Sequence, residues 1–549
     1  MAARETPVDA AARGPRSAGQ TVLAALVLVG AIVWWARPAQ PLDFTGDDFE
    51  LIAMARIGGL PGAVLDAPNR GTFVKPAMNA LWAVLLPAIG TDPERWHWVL
   101  LATHAACALV LGMLAAALAR GLGAAPPARA AACGFAAAAL WGLHDRLGEP
   151  LRSVAAWNHS FTFLATVCAL LALEAALARR SRPALLGAML LGLIALLSYE
   201  VGLSLIVSAP LLVLLHRTGS LRDRVRFAAP AFILLGALYG IARFAIRRGD
   251  EAGYYRFVTW DVCTRAEEVL LAFLRLRGVA PGTATAHAVL GVVLCCLALS
   301  WLLLRRVWAF SLTWAAAAVL LIAPIPVFAD RYDYIPFAEL SIAAGALASR
   351  FAVTRRGVSL VGCTLLAVLL AAHAAAGRAG MRRDAVWDAE RGAQYRRLVT
   401  TTEAALAHAN GHPSAPMLLV WEAEPEVPPA GRPAYVRPDG VRGLVYHPDL
   451  MNFLGADSGR FFRIPPPDKV ARALHDGAQL RVLDLRRDPA AGPAAETLPG
   501  KAGASMAAHD AVPRRLSAAE AGSGPALTLA WIEETDRAGA WHAEFDPPR

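Results

Sequence analysis

Cysteine is absent from the whole of the chain after Cys363. That absence excludes a disulfide framework or a cysteine-built zinc site for the C-terminal third. Of the seven cysteines, Cys107, Cys133, Cys168, Cys295, Cys296 and Cys363 fall in apolar runs, where Cys acts as a small hydrophobe; Cys263 falls outside them. Charge is scarce too, at 18% of 549 residues against 56% apolar. A mean hydropathy of +0.43 excludes an ordinary water-soluble surface. No tandem repeat of about 20–50 residues is visible, which argues against a solenoid.

What is present is a succession of apolar blocks about 16–20 residues long, separated by short arginine-bearing connections. They predict about eleven membrane spans, at about 20–37, 97–119, 130–145, 155–177, 183–198, 201–215, 227–246, 286–304, 307–325, 335–351 and 357–377. Loops on one side carry Arg120 and Arg129; Arg179, Arg180 and Arg182; Arg217, Arg222, Arg224 and Arg226; Arg305 and Arg306; Arg350, Arg355 and Arg356. With the basic N-terminus they alternate correctly with the spans, which assigns that side to the cytoplasm. The net charge of +9 is therefore read as topology and not as a nucleic-acid surface. The stretch Thr21–Ala36 follows Arg4, Arg13 and Arg16 like a signal peptide, but its Trp34-Trp35 pair reads as an interface anchor of an uncleaved span.

The expected fold is an α-helical polytopic membrane protein with a C-terminal soluble α/β domain. Residues 1–19 form a cytoplasmic arm and 20–377 the transmembrane domain, with outer loops at about 38–96, 146–154, 247–285 and 326–334. Residues 378–549 form the extracytoplasmic domain, where strand-length runs occur at Ala415–Trp421, Leu480–Leu485 and Ala526–Ile532 and helix-like stretches at Asp388–Ala409 and Asp468–His475. Within the first outer loop, Val74–Leu86 reads as a helix lying on the membrane surface. Alanine, arginine and glycine richness suggests a bacterium, and hence its inner membrane.

Candidate chemistry collects on the outer side. Asp47-Asp48 supplies adjacent carboxylates: a solvated loop, a base for a hydroxyl nucleophile, or ligands for a divalent cation such as Mg or Mn. Lys75 and Arg331, with Tyr332 beside the latter, suit a phosphate, or else snorkel at the interface. Glu200 interrupts a pair of short apolar helices, where an unpaired charge is costly. His97 and His104 read chiefly as core or interface residues, and Asp145 and Glu149 either as further site carboxylates or as a polar turn.

Five strings in order carry a family resemblance: Phe73-Val74-Lys75-Pro76, Trp96-His97 through His104, Val154-Ala155-Ala156-Trp157, Leu197-Ser198-Tyr199-Glu200, and Asp330-Arg331-Tyr332-Asp333-Tyr334-Ile335-Pro336. With the acidic pair after the first span they resemble the GT-C membrane glycosyltransferases, most closely the protein O-mannosyltransferase-like branch and its TPR-bearing relatives. The resemblance covers about residues 20–377 and leaves the C-terminal domain unexplained. It implies inverting transfer of a sugar from a polyprenyl-phosphate donor to a glycan, lipid or protein hydroxyl on the outer face. Asp47 or Asp48 would then be the base, Lys75, Arg331 and Tyr332 the phosphate holders, and Glu200, His104 and Glu149 positioning residues.

Departures are specific: Lys75 stands for Arg, Tyr199 for Lys, Asp330 for Glu, and Glu149 precedes Pro150 where the family has Pro-x-x-x-Glu. No TPR pattern follows the spans. The alternatives are a member that binds lipid without catalysis, a transporter or flippase of lipid-linked glycans, and a non-catalytic envelope-assembly protein.

Overall fold

The computed structural model describes residues 15–39, 42–44, 48, 52, 60, 64, 75–246, 262–276, 278–303, 305–323, 330–354 and 357–409, and strands at 417–422, 479–484, 495–497 and 526–533. The chain forms two compact units: Met1–Leu42 with Leu60–Asp388, and Asp43–Gly59 with Ala389–Arg549.

In the first unit the helices are α1 Pro15–Ala36, α2 Pro76–Ile89, α3 Pro93–Gly121, α4 Pro127–Gly142, a short α5 Glu149–Arg152, α6 Trp157–Arg179 and α7 Arg182–Leu196. They continue as α8 Leu205–Leu215, α9 Leu221–Ile246, α10 Val262–Phe273, α11 Ala284–Leu302, α12 Arg306–Ile322, α13 Tyr334–Ala352 and α14 Leu360–Ala409, whose residues from Ala389 on belong to the second unit. Short 3-10 turns cover Asp145–Gly148, Glu200–Ser204 and Asp330–Asp333. The polar residues between apolar runs start the helices. The Asp92 carboxylate accepts from Glu94 N at 3.0 Å, and the Ser181 and Thr283 hydroxyls accept from Ala184 N and Ala286 N, each at 3.3 Å. Pro76 and Pro93 occupy first turns, where the missing N–H costs nothing.

Six described helical stretches are long and apolar enough to cross a membrane: Gly19–Ala39, Pro93–Gly121, Trp157–Arg179, Leu221–Ala242, Ala284–Leu302 and Leu360–Val386. Four more apolar helices, Pro76–Ile89, Arg182–Leu196, Glu200–Leu215 and Arg306–Ile322, are shorter. Six full-length candidates thus stand against the eleven spans expected. Two of the five that differ are the short helices flanking residues 197–204, 15 and 11 residues long, and the other three are α4, α12 and α13. Ile233, Phe244, Leu302 and Leu360 are 72%, 88%, 77% and 81% exposed, an outer surface suited to lipid and not to water. The chain is a helical membrane protein.

Two helices differ from expectation. The segment 247–285, expected as an outer loop, contains α10, whose Val269, Leu270 and Leu271 are buried. The last span and the expected helix Asp388–Ala409 are one continuous helix, α14. A two-stranded hairpin precedes it, Val353–Thr354 (β1) pairing antiparallel with Gly357–Val358 (β2).

The helices of the first unit pack α4 between α3 and α13, and α6 against α3 and α7. Small residues allow the approach. A Cβ added at Gly134 would lie 2.4 Å from the Gly112 carbonyl oxygen, and one at Gly345 would lie 2.7 Å from the Cys133 oxygen. At one end of the bundle, arginines of the basic loops close helix C-termini. Arg217 Nε donates to Leu122 O at 2.7 Å, Arg224 Nε to Val213 O at 2.8 Å, Arg306 Nη1 to Leu215 O at 3.0 Å and Arg129 Nη2 to Val353 O at 3.0 Å.

In the second unit, β3 Met417–Glu422, β4 Gln479–Asp484, β5 Ala495–Thr497 and β6 Ala526–Glu533 form an antiparallel sheet ordered β3-β6-β4-β5. Leu419 stands opposite Leu529, and Val482 opposite Ala530. The helix-like stretch Asp468–His475 lies outside the described residues.

Because the Gly134 and Gly345 contacts are backbone-to-backbone, neither can yield by a rotamer change. Gly134→Ala is expected to destabilise the bundle by about 1–3 kcal/mol, read as a lower melting temperature in detergent, whereas Gly187→Ala on the open face of α7 should be silent.

Candidate functional site

The end of the bundle opposite the arginine-capped loops is held by ion pairs. Residues 145–152 turn through the 3-10 segment into α5, with Pro150 in the first helical turn. Their charges are matched by distant segments. Arg146 Nη1 lies 2.7 Å from Asp330 Oδ1 and its Nε 3.4 Å from Asp333 Oδ2. Arg152, 4% exposed, pairs with Asp384 at 3.3 Å and with Asp388 on α14. Asp145 Oδ1 lies 3.2 Å from Arg275 Nε, after α10. Glu149 grips Arg331 twice, accepting from its backbone N at 2.8 Å and from Nη1 at 3.0 Å.

Burial sets the charge states here. It works against the Arg152 guanidinium, but Asp388, Asp384, Asp330 and Glu149 outweigh it and raise the arginine's pKa. Burial lowers that of Arg275 to about 10. Asp333, fully buried, is pushed well above the usual carboxylate range by burial; Arg146 opposes the rise, and Asp330, Glu268 and Glu149 add to it.

Aromatic packing fixes the adjoining helix starts. Trp82 of α2 stacks on Trp96 of α3 at 4.5 Å, and Trp157 of α6 meets both edge-on at 5.5 and 5.9 Å. Trp157 Nε1 donates to Thr103 Oγ1 at 3.0 Å, and Ala77 N donates to Leu197 O at 3.0 Å. The start of α2 is thereby tied to the turn that carries Tyr199 and Glu200.

Several sequence-predicted residues meet in this region. His159, in the first turn of α6 and 3% exposed, has its ring 4.5 Å from Tyr199 and 5.2 Å, edge-on, from Tyr332. Lys75 and Arg331 both lie close enough to act electrostatically on its imidazole. The Arg331 guanidinium is 5.7 Å from the Tyr332 ring. Two cations, two phenols and an imidazole from four separated stretches of chain thus gather at one end of the bundle. Such a group can bind a phosphate through charge and hydrogen bonds together.

Other predicted residues are placed differently. Glu200 opens the 3-10 turn after Tyr199 and is partly buried. His104 is a core residue: its ring nitrogens meet the Tyr334 hydroxyl and, at 3.0 Å, Gly142 O, and it stacks between Trp35 and Trp141. His97 is held likewise, at 2.8 Å from Leu151 O. Asp48 is fully buried and belongs to the second unit; Asp47 lies outside the described residues. Among the described residues no three His, Cys, Asp or Glu side chains group as a metal ion would need. Sequence reasoning missed His159. Its signal was three consecutive polar residues, Asn158-His159-Ser160, opening an otherwise apolar span.

No family model matches the chain, and no curated protein matches it in sequence. The crystal structure of ArnT from Cupriavidus metallidurans, bound to undecaprenyl phosphate, is similar to it at 16% identity, with 96% of this chain and 99% of that chain covered and a TM-score of 0.46.

Asp333 makes stability depend on pH in a definite direction. A carboxyl whose folded-state pKa is raised stabilises the fold fully below its unfolded value, about 4, and that contribution is lost as pH rises through the folded value. The melting temperature in detergent should therefore fall with rising pH above about 4, and Asp333→Asn should flatten that slope. An unchanged slope would mean that Asp333 is ionised in the folded protein.

Proposed function

We propose that the chain is a GT-C-type membrane glycosyltransferase that moves a sugar from a polyprenyl-phosphate donor to a hydroxyl on the extracytoplasmic face. The observation that carries this reading is the meeting of Lys75, Arg331, Tyr199 and Tyr332 around His159. Three of the five strings that resemble the family contribute those four residues, and a fourth ends two residues before His159.

In this mechanism Lys75 and Arg331 hold the donor phosphate at the membrane surface. The acceptor oxygen attacks the anomeric carbon from the face opposite the phosphate, the carbon–oxygen bond to phosphate breaks, and the configuration inverts. The leaving polyprenyl phosphate gains negative charge as that bond opens, and the two cations stabilise it more in the transition state than in the ground state. Asp47 or Asp48 takes the acceptor's proton, the role that the family resemblance implies for the acidic pair. Glu149 holds the Arg331 fork in one orientation, and Glu200 positions the turn beside Tyr199. Asp47 and Asp48 are also the residues that would hold a divalent cation, although no step requires one. The acceptor is a glycan, lipid or protein of the cell envelope. The N-terminus would be cytoplasmic and the C-terminal unit extracytoplasmic, in a bacterial inner membrane.

Envelope-glycan profiles of cells carrying Asp47→Asn, Asp48→Asn, Lys75→Gln or Arg331→Gln, at matched membrane levels, test this reading. Loss of one sugar is expected from Lys75→Gln, from Arg331→Gln and from one of the two aspartate variants. Removal of a group that stabilises the leaving charge should slow transfer about 10²–10³-fold. Unchanged profiles for both aspartate variants would sink the Asp-base mechanism.

One observation favours a second reading, a flippase for lipid-linked glycans. Glu339 in α13 is fully buried, and among the described residues neither of its carboxylate oxygens has a hydrogen-bond partner. A buried acid within a span is a mark of transport. The transferase reading expects Glu339→Gln to leave the glycan profile intact; a loss equal to that from Lys75→Gln would favour the flippase.

A further inference from the structure

We infer that His159 is itself a donor-contacting residue, its imidazole hydrogen-bonding a phosphate oxygen held between Lys75 and Arg331. This rests on the reading that those two cations bind a phosphate, and adds a residue that the family strings do not supply.

The imidazole is buried, yet neither ring nitrogen makes a hydrogen bond within the described residues. His97, His104, His144, His216, His287 and His373, by contrast, each put a ring nitrogen on a protein oxygen. Neither nitrogen is among the fully buried atoms left without a partner, so both keep some accessible surface through which a ligand can reach them. The surroundings point to an anion. The ring is flanked by Tyr199 and Tyr332, and the nearby charges acting on it are the cations Arg331 and Lys75.

A neutral imidazole offers one N–H donor and one lone pair. A neutral donor inside a cationic pocket complements an anion's oxygen: it adds a directed bond without adding charge that must be neutralised when the site is empty. If His159 were only packing between two phenols, phenylalanine would serve there equally well.

That comparison is the experiment. Purified full-length protein in detergent micelles is titrated with farnesyl phosphate, with farnesol as the phosphate-free control. His159→Phe keeps the ring between the tyrosines and removes both nitrogens. It should weaken farnesyl phosphate binding about 10- to 100-fold, the range for a hydrogen bond to a charged group, and leave farnesol binding and the melting temperature unchanged. His159→Gln, which restores one N–H donor, should recover part of the loss. Lys75→Gln separates the two levels of inference. If it weakens binding while His159→Phe binds like the unsubstituted protein, the histidine is packing only and the proposal is overturned, while the phosphate site stands. If the unsubstituted protein shows no preference for farnesyl phosphate over farnesol, the phosphate reading itself has failed. Should His159→Phe not fold, the imidazole ¹⁵N spectrum of the unsubstituted protein decides. A resonance absent from His159→Gln that shifts with farnesyl phosphate and not with farnesol supports the contact, and none shifting overturns it.

Discussion

A charge taken out of water must be met by an opposite charge, and the ordered end of this helical bundle is built on that requirement. Removing one partner of a buried pair typically costs about 3–5 kcal/mol, because the survivor is left without water or counter-charge. Arg152 and Asp145 are both nearly completely buried. Their partners come from segments far away in sequence: Asp384 and Asp388 on α14 and Arg275 after α10. None of these segments can leave without stranding a charge. Their pairing therefore fixes where α4, α5, α10 and α14 end relative to one another, and the candidate site stands on that frame.

The opposite end uses arginine in another way. There the guanidinium groups close helix C-termini by donating to backbone carbonyls, as Arg217, Arg224 and Arg306 do. A carbonyl satisfies the donors without cancelling the charge, so that end remains strongly positive. At the site end, arginines 146, 152, 275 and 331 each face a carboxylate. The same residue type thus gives a basic rim at one end and a nearly balanced network at the other. The arginine asymmetry legible in the sequence follows from that difference in partners.

Apolar runs and their capping residues were enough to locate most helices, since block length and flanking Pro, Ser, Thr or Asp are local signals. Helix α14 was divided wrongly because hydropathy drops near Arg378, while the alanine-rich backbone keeps its helical propensity straight through the change. Helix α10 was missed because a short amphipathic helix leaves no apolar block. The strings around Lys75, Tyr199 and Arg331 were legible, but their meeting was not: the Glu149–Arg331 pair spans 182 residues and neither neighbourhood announces the other. His104 stood out in a motif yet serves the core, whereas His159, outside every motif, lies beside Lys75, Arg331 and the two tyrosines. One sequence alone does not say which way a histidine in an apolar span faces.

The departures from the family pattern make sense together on the proposed reading. Where the resembling enzymes carry a lysine, this chain has Tyr199, which removes one positive charge beside the phosphate. Part of the positive charge of Arg331 is also engaged by Glu149 at 3.0 Å. A site so depleted of charge would hold a phosphate weakly if it relied on Coulomb attraction alone, because screening near a membrane surface leaves each exposed cation little to contribute. Directed hydrogen bonds from buried groups lose less to screening. Tyr199 packs against His159, so the same substitution that deletes a cation places a phenol ring on the imidazole. With His159 as the proposed donor, charge lost at residue 199 is exchanged for a positioned hydrogen bond at residue 159, and the Lys-to-Tyr change is a different way of holding the same anion and not decay of the site.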